Sequence, residues 1–325
     1  MNKKLLFGIL LGAVLIYFSV RGIHFNDTLA SLKNIHPGWA ALSLFYIVLM
    51  QALRSYRWGV ILEPMEKISQ GTLFAVTSVG FLAIAAIPAR IGELARPYLI
   101  SRKSSIQMSS ALGTIVVERV LDSLAVLSIT IMVLLTQDQL PPWMFKSGIL
   151  FFLLTLMMIA FVIGLVRRRE TAVAVIDWIL KRMPGTLAQK VNPLIHHFID
   201  GFQVITDVKR LLYLLALSAV VWLVDVAAIY TLLKAFGFDL PVLAAFVVMV
   251  ILIAGIAIPT APGFIGNWHY ACILGLSLFG IAKPEGLSFA LVYHFLSMMV
   301  VVILGVVFLP FNKFSLSEMT GQMNQ

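Results

Sequence analysis

Residues 81–92 read Phe-Leu-Ala-Ile-Ala-Ala-Ile-Pro-Ala-Arg-Ile-Gly, and residues 251–266 read Ile-Leu-Ile-Ala-Gly-Ile-Ala-Ile-Pro-Thr-Ala-Pro-Gly-Phe-Ile-Gly. Each stretch is a short apolar run that a proline interrupts, Pro88 in the first and Pro259 in the second. Proline ends a helix because it removes a backbone donor and its ring clashes with the preceding turn. A second apolar arm follows each break. The pattern predicts two helical hairpins, each of which is either re-entrant or made of two short spans.

The composition around these hairpins is that of a membrane protein. Of 325 residues, 60% are hydrophobic and 12% are charged, whereas soluble domains are about 45–50% apolar and about 25% charged. About 20 apolar residues cross a bilayer. Six further segments approach or exceed this length: 4–20, 39–58, 108–136, 145–166, 211–236 and 286–310. The first begins like a signal peptide but lacks a small-residue cleavage site, so we expect an uncleaved span.

Lysine and arginine indicate the orientation of these spans. The net charge is +9, and the densest basic cluster begins with Arg167, Arg168 and Arg169. Cytoplasmic loops of membrane proteins are enriched in these residues, whereas the loops 137–144 and 237–241 contain none. We therefore expect a multi-pass protein of the inner (cytoplasmic) membrane with both termini in the cytoplasm.

The predicted fold is all-α and polytopic, with about six full spans and two broken hairpins in an inverted-topology repeat. Arg54 lies 34 residues before Pro88, and Asp225 lies 34 residues before Pro259. Inverted repeats with broken helices are a transporter design. We divide the single membrane domain, 1–325, into three parts: a first half at 1–140, a second half at 141–310, and a cytoplasmic tail at 311–325.

Residues 171–208 differ from the spans. Apolar residues such as Leu187 and Phe198 recur at helical spacing among polar ones, and Asn192-Pro193 is typical of a helix start. We expect cytoplasmic amphipathic helices here. They either lie on the membrane surface or cover the membrane domain.

Charged residues cluster just after the first proline. Arg90, Glu93 and Arg96 follow one another at spacings of three, which places them within ion-pair reach along a helix. Gly92 allows another backbone to approach closely. Two guanidinium groups at a new helix start suit a phosphate. The alternative is that these charges lie among lipid headgroups at the interface.

A second group of charges lies inside predicted spans, where an unpaired charge is costly. Glu118, Arg119 and Asp122 share one stretch, and Asp225 is a lone acid that requires a tertiary partner. Either these groups take part in transport or they form a buried structural network. Arg54 and Arg57 end the second span and could equally be interface anchors. For Asp225 the candidate partners are Arg90, Arg119 and His294.

The second hairpin combines helix breakers with polar side chains. We expect both hairpins to act as gates, through six residues: Pro88, Gly92, Pro259, Pro262, Gly263 and Gly266. Asn267 follows as a candidate substrate-binding residue. His269 and His294 are expected to be hydrogen-bonded structural residues rather than metal ligands. Cys272, the single cysteine, is expected to be a packing residue.

The chain contains no phosphate-binding loop, dinucleotide-binding glycine motif or serine nucleophile motif. We therefore expect no cofactor, no metal and no enzymatic activity.

Four motifs together resemble the transmembrane region of the lysylphosphatidylglycerol synthase family, also described as flippase-like integral membrane proteins. They are Arg54-Ser-Tyr-Arg57-Trp58, Pro88-Ala-Arg-Ile-Gly-Glu-Leu-Ala-Arg-Pro97, Val117-Glu-Arg-Val-Leu-Asp122 and Pro259-Thr-Ala-Pro-Gly-Phe-Ile-Gly266. The resemblance implies a lipid-translocating module. In the synthases a soluble aminoacyl-transferase domain follows, and we expect only the membrane module to apply to this chain. The family motif after Gly266 often continues with Gly and Glu, where this chain has Asn267-Trp-His269.

These observations favour a flippase or transporter for a phosphate-bearing or otherwise charged lipid. Arg90, Arg96 and Arg119 would neutralise the phosphate, and the acids would orient the arginines or bind a cationic part of the headgroup. The alternatives are a membrane-embedded transferase that uses a lipid-linked donor, and a non-transporting partner of a lipid-biosynthesis enzyme. The expected ligands are membrane lipids, with no nucleic acid.

Overall fold

A computed structural model describes residues 17, 19, 21, 31–86, 92–136, 142–167, 182, 185–257 and 262–312. Most of these residues are helical, and there is no strand among them. The helices in chain order are α1 (Pro37–Leu62), α2 (Gln70–Ala86), α3 (Ala95–Ser101), α4 (Met108–Thr136), α5 (Pro142–Arg167), α6 (Gly185–Asp200), α7 (Val208–Ala235), α8 (Val242–Ala257), α9 (Asn267–Ser277) and α10 (Lys283–Asn312). The predicted span 4–20 lies almost wholly outside the described residues, as does the tail beyond 312.

Five described helices are long and apolar enough to cross a membrane: α1, α4, α5, α7 and α10. Each coincides with one of the spans expected from the sequence. Their apolar side chains are also widely exposed on the outer surface, as at Leu150 and Phe152 of α5. Such a surface requires lipid, so the prediction of an all-α polytopic membrane protein is confirmed.

Each of the two short apolar helices is followed by a second helical arm. Helix α2 spans Gln70–Ala86 and helix α8 spans Val242–Ala257, while Pro88 and Pro259 themselves lie outside the described residues. A short helical turn at 92–94 then precedes α3, and the 3₁₀ turn Pro262–Phe264 precedes α9. Gly92 is necessary in the first hairpin because a Cβ atom there would overlap the backbone of Ala83 in α2. Both broken hairpins are therefore present.

Helices α1 and α7 pack side by side in opposite directions at the centre of the molecule. At one end, the His36 amide donates to the Ala235 carbonyl over 2.8 Å. At the other end, Arg210 Nη2 lies 3.5 Å from Glu63 Oε2. The start of each helix thus meets the end of the other, as expected for two neighbouring membrane spans.

The hairpins pack across the two halves of the chain. Helix α2 of the first half packs on α10 of the second half, and α8 of the second half packs on α4 of the first. The two long helices α1 and α7 lie between these pairs. This reciprocal arrangement brings both broken hairpins to one central region, where residues from both halves meet.

The predicted helix start at Asn192-Pro193 is wrong. Helix α6 begins at Gly185 and continues through Pro193. A proline removes only its own backbone donor, and α6 is held by close packing on α4, where Phe198 and Gly201 lie against Gly113. Packing on a neighbouring helix therefore overrides the local preference of proline for the first turn.

Candidate functional site

A buried ionic network joins α1, α3 and α4. Arg96 in α3 binds Glu118 in α4 through two parallel hydrogen bonds, Nη1–Oε1 at 3.1 Å and Nη2–Oε2 at 3.0 Å. Arg57 in α1 lies between two acids, with Nη1 at 2.6 Å from Asp122 Oδ1 and Nη2 at 3.4 Å from Glu118 Oε1. Both arginine side chains are at most 1% exposed. Charges that are this deeply buried require partners, and each has one here.

Neighbouring side chains fix the orientation of this network. The Arg96 guanidinium carbon lies 4.3 Å from the ring centroid of Trp58, and Trp58 Nε1 donates to Thr114 Oγ1 over 3.1 Å. Arg57 Nη1 also donates to Ser218 Oγ in α7, over 2.8 Å. The network therefore connects the first half of the chain to a central helix of the second half.

A cavity of about 320 Å³ lies beside the network, between the two halves. Its polar lining residues are Gln51, Arg54, Glu93, Glu118, Arg119, Asp122, Ser123, Trp222, Asp225, Tyr293 and Ser297. Apolar side chains from α2, α8 and α10 complete the wall. Glu93 of the first charged cluster, all three residues of the second cluster, and Asp225 thus line one cavity.

Arg54 presents its charge to this cavity. Its guanidinium lies over two aromatic rings, 5.5 Å from the centroid of Phe81 and 5.7 Å from that of Trp222. It forms no ion pair within the part of the chain that the structure describes, although Asp122 and Asp225 are close enough to interact with it electrostatically. Rings hold a cation through their electron-rich faces and leave its hydrogen-bond donors available.

Arg119 is the second cavity arginine and is only loosely paired. Its Nη1 lies 3.8 Å from Asp122 Oδ2, and its side chain is 43% exposed. Its Nε is buried and has no hydrogen-bond partner among the described residues, and the same is true of Nε2 of Gln51. Buried donors are almost always satisfied in proteins. The cavity therefore offers donors without acceptors.

The carboxylates of the cavity are, by contrast, mostly occupied. Glu118 binds two arginines, and Asp122 accepts from Trp222 Nε1 over 3.1 Å as well as pairing with Arg57. Asp225, which is 7% exposed, accepts from the Tyr293 hydroxyl over 3.0 Å. None of the sequence-predicted partners of Asp225 that the structure describes takes this position.

The second hairpin is held by its polar residues. Asn267 Nδ2 donates to the Gly255 carbonyl over 3.0 Å and so ties the two arms together near the end of α8. His294 Nε2 lies 2.7 Å from the Gly263 carbonyl oxygen, and His269 Nδ1 accepts from the Gly266 amide over 3.4 Å. Gly263 and Gly266 have positive φ angles of 67° and 98°, which favour glycine. The two histidines therefore have the structural role that the sequence predicted.

The predicted site residues thus separate into groups. Six line the cavity: Arg54, Glu93, Glu118, Arg119, Asp122 and Asp225. Arg57, Arg96 and Asn267 are fully buried and hold other residues in place rather than lining it. Arg90, Pro88 and Pro259 lie outside the described residues, as does the side chain of Pro262. No cluster of three or more metal-ligating side chains occurs in the described part of the chain.

The predicted ladder of ion pairs from Arg90 through Glu93 to Arg96 is wrong at its last step, because Arg96 pairs with Glu118. Helix α3 packs on α4, and Glu118 of α4 accepts from both terminal nitrogens of Arg96. The spacing rule considers neighbours along one helix only, so it could not include this carboxylate from another helix.

Sequence reasoning missed the cavity residues Gln51, Trp222 and Tyr293. Gln51 lies three residues before Arg54, and Trp222 lies three residues before Asp225, so each is one helical turn from a candidate site residue. That spacing predicts that each shares a helix face with the neighbouring charge. Tyr293 had no such signal, since it reaches Asp225 from a different helix.

The comparisons with known proteins agree with this architecture. Residues 5–305 match the family model described as the lysylphosphatidylglycerol synthase TM region. A UPF0104 membrane protein of Methanothermobacter thermautotrophicus is 24% identical over 306 residues, which cover 89% of each chain. A UPF0104 membrane protein of Methanocaldococcus jannaschii is 22% identical over 302 residues, which cover 90% of each chain. The chain is therefore a multi-pass membrane protein that belongs to the family of the lysylphosphatidylglycerol synthase transmembrane region.

Proposed function

We propose that this protein moves a phosphate-bearing lipid between the leaflets of the cytoplasmic membrane. The observation that carries the proposal is the imbalance of the cavity, in which donors of Arg54, Arg119 and Gln51 lack acceptors while the acids have donors. A phosphate supplies several acceptor oxygens and a negative charge, and guanidinium groups bind it with matching geometry.

The cavity also suits the rest of a lipid. Apolar side chains such as Ile84, Ile256 and Met298 line it together with the charged ones. An amphiphile can place its headgroup against the arginines and its hydrocarbon against these side chains. A small soluble anion would gain nothing from the apolar wall.

Both broken hairpins border the cavity, which supports alternate opening to the two leaflets. Ile84 of α2 and Glu93 come from the first hairpin, and Phe264 and Trp268 come from the second. Transporters with inverted repeats place their substrate between such broken helices and open it by moving one half against the other. We propose that Gly92 in the first hairpin and Gly263 and Gly266 in the second permit these movements.

The orientation follows from the charges at the two ends. Arg210 and Lys103 both lie at the end of the molecule where α1 finishes. Arg210 is placed there by its ion pair with Glu63. Lys103 is placed there because Ser105, two residues later, binds Glu66 just after α1. We propose that this basic end faces the cytoplasm and that both termini are on that side. A lipid-biosynthesis enzyme is a plausible partner because it would supply the transported lipid.

The occupied carboxylates disfavour the alternative of a membrane-embedded transferase. A general base must be free to accept a proton from the reacting group. Glu118 and Asp122 are held by arginines, and Asp225 is held by Tyr293. We therefore propose a non-enzymatic role, with lipids as ligands and no cofactor.

The test is transport by the purified protein in liposomes. A phosphatidylglycerol with a headgroup-attached fluorophore is followed between leaflets by quenching from outside. We expect wild type to move it, and Arg54→Lys to lower the rate roughly ten- to hundredfold, since a charge-assisted hydrogen bond is worth about 1.5–3 kcal/mol. The matched control is Arg210→Lys, which makes the same change at a surface pair and should transport normally.

Two results would contradict the proposal. One is a wild-type rate equal to that of protein-free liposomes, with the fold verified by circular dichroism. The other is equal transport of a diacylglycerol that carries the same fluorophore without a phosphate, because the arginines would then play no part in selection.

A further inference from the structure

An apolar slot of about 120 Å³ lies next to the polar cavity. Helices α4, α5 and α8 form its walls. Four residues line both spaces: Val126, Phe151, Ile253 and Ala257. The slot and the cavity are therefore adjacent.

The slot presents almost no polar group to its interior. Its lining includes two hydroxyl side chains, and both donate to their own helix: Thr130 to the Val126 carbonyl over 2.8 Å, and Ser147 to the Trp143 carbonyl over 2.6 Å. An apolar cavity of about 150 Å³ stays dry and binds benzene. At about 120 Å³ the slot has room for a hydrocarbon segment of around five carbons, by the same comparison.

The slot is placed where hydrocarbon can reach it from the bilayer. Helix α5 is the most lipid-exposed of the long spans, with only Met144, Gly148, Thr155 and Val162 buried. It packs on α4, whereas no comparable packing joins it to α8 among the described residues. Close helix packing therefore does not seal the slot between α5 and α8.

We infer that this slot holds one hydrocarbon chain of the lipid whose phosphate headgroup lies at Arg54 and Arg119. The inference rests on the proposed function, which supplies the headgroup end. The gap between α5 and α8 is then the lateral path by which the chain enters and leaves. A chain held there stays in an apolar environment while the headgroup crosses.

The test uses phosphatidylglycerol with a photoreactive diazirine in one acyl chain, mixed into liposomes that contain the full-length protein. After irradiation, the modified residues are located by mass spectrometry. We expect modification of Val126, Thr130 and Val133, which are 4%, 6% and 0% exposed and line the slot rather than the outer surface. Modification of lipid-facing residues serves as the internal reference for probe reactivity.

Two substitutions fill the slot from opposite walls. Gly148→Leu places a side chain where a Cβ would already lie 2.9 Å from Leu134 Cδ1. Ala254→Phe does so from α8, at an exposed residue that does not belong to the buried core. The control is Gly164→Leu in the same helix as Gly148, since a Cβ there meets nothing within 4 Å. We expect both filling variants to lose the modification of the buried α4 residues and the control to retain it.

The outcomes separate this inference from the proposed function. Modification confined to lipid-facing residues, or unchanged by both filling variants, overturns the slot. Transport without modification of buried α4 residues also overturns the slot and leaves the proposed function standing. Modification there without any transport supports the slot and overturns the proposed function.

Discussion

Glu118→Gln should destabilise the fold far more than the loss of a neighbouring cavity charge. Glu118 is 1% exposed and binds Arg96 through two hydrogen bonds of 3.1 and 3.0 Å. Glutamine has nearly the same shape but carries no charge and can accept only through its one oxygen. Arg96 cannot turn toward water, because it is itself 1% exposed and lies 4.3 Å over Trp58.

The expected loss in unfolding free energy depends on the arginine charge that remains after Glu118 is replaced. Removing one member of a buried ion pair typically costs about 3–5 kcal/mol, since the other charge stays buried and unpaired. By contrast, Arg119→Gln breaks a pair at 3.8 Å with a side chain that is 43% exposed, and such pairs contribute about 0–1 kcal/mol. We therefore expect a difference of roughly 3 kcal/mol between two substitutions at adjacent positions.

The assay is equilibrium unfolding in mixed micelles, with the free energy of unfolding taken for wild type and both variants. The double variant Arg96→Met/Glu118→Gln should recover part of the loss, because it removes both charges. Equal losses for Glu118→Gln and Arg119→Gln, or no recovery in the double variant, would refute the distinction between a structural network and a ligand-binding cavity.

Two further predictions concern the surroundings of this network. Gly80→Ala should lower the free energy of unfolding by about 1–3 kcal/mol, because the added Cβ would overlap Cγ of Arg96. The control is Gly71→Ala in the same helix, where a Cβ meets nothing within 4 Å and should leave the free energy of unfolding unchanged. Equal effects of the two substitutions would contradict this. In the loop between α1 and α2, the side-chain and backbone donors of Ser105 hold the pKa of Glu66 below its ordinary value. Its contact should therefore stabilise the loop above the ordinary carboxyl pKa and be lost as the pH falls through the lowered one. Proteolysis of this loop should rise in acid for wild type, and Ser105→Ala, which keeps only the backbone donor, should weaken that dependence.

The spans and hairpins could be predicted from the sequence because their causes are local. Length and hydropathy determine whether a helix can cross a bilayer, and Pro88 and Pro259 mark where α2 and α8 cannot continue. By contrast, the path of the chain through Pro193 depended on packing against α4, which no local pattern records.

The charged residues could be found from the sequence but not assigned to roles. Arg54 and Arg57 are three residues apart in one helix, yet Arg54 faces the cavity and Arg57 lies between two acids of α4. Spacing along a helix shows which residues share a face, but the neighbours of that face come from tertiary packing. Likewise, Arg96 was expected at a phosphate, and its partner is a carboxylate 22 residues later in the chain.

The proposed function requires that the cavity opens to both sides of the membrane, and cysteine accessibility measures this directly. The chain has one cysteine, Cys272, which is buried, so Cys272→Ala provides a background for single substitutions. Ser123→Cys places a thiol on the cavity wall. Lys67→Cys and Asp239→Cys place thiols in exposed loops at the two opposite ends.

A membrane-impermeant thiol reagent is applied to vesicles of each orientation. Each loop position should react from one side alone, and these reactions verify the sidedness of the vesicles. We predict that Ser123→Cys reacts from both sides and that added phosphatidylglycerol slows both reactions. Reaction of Ser123→Cys from one side only, with and without lipid, would contradict the account and indicate a one-sided pocket such as that of a membrane-embedded enzyme.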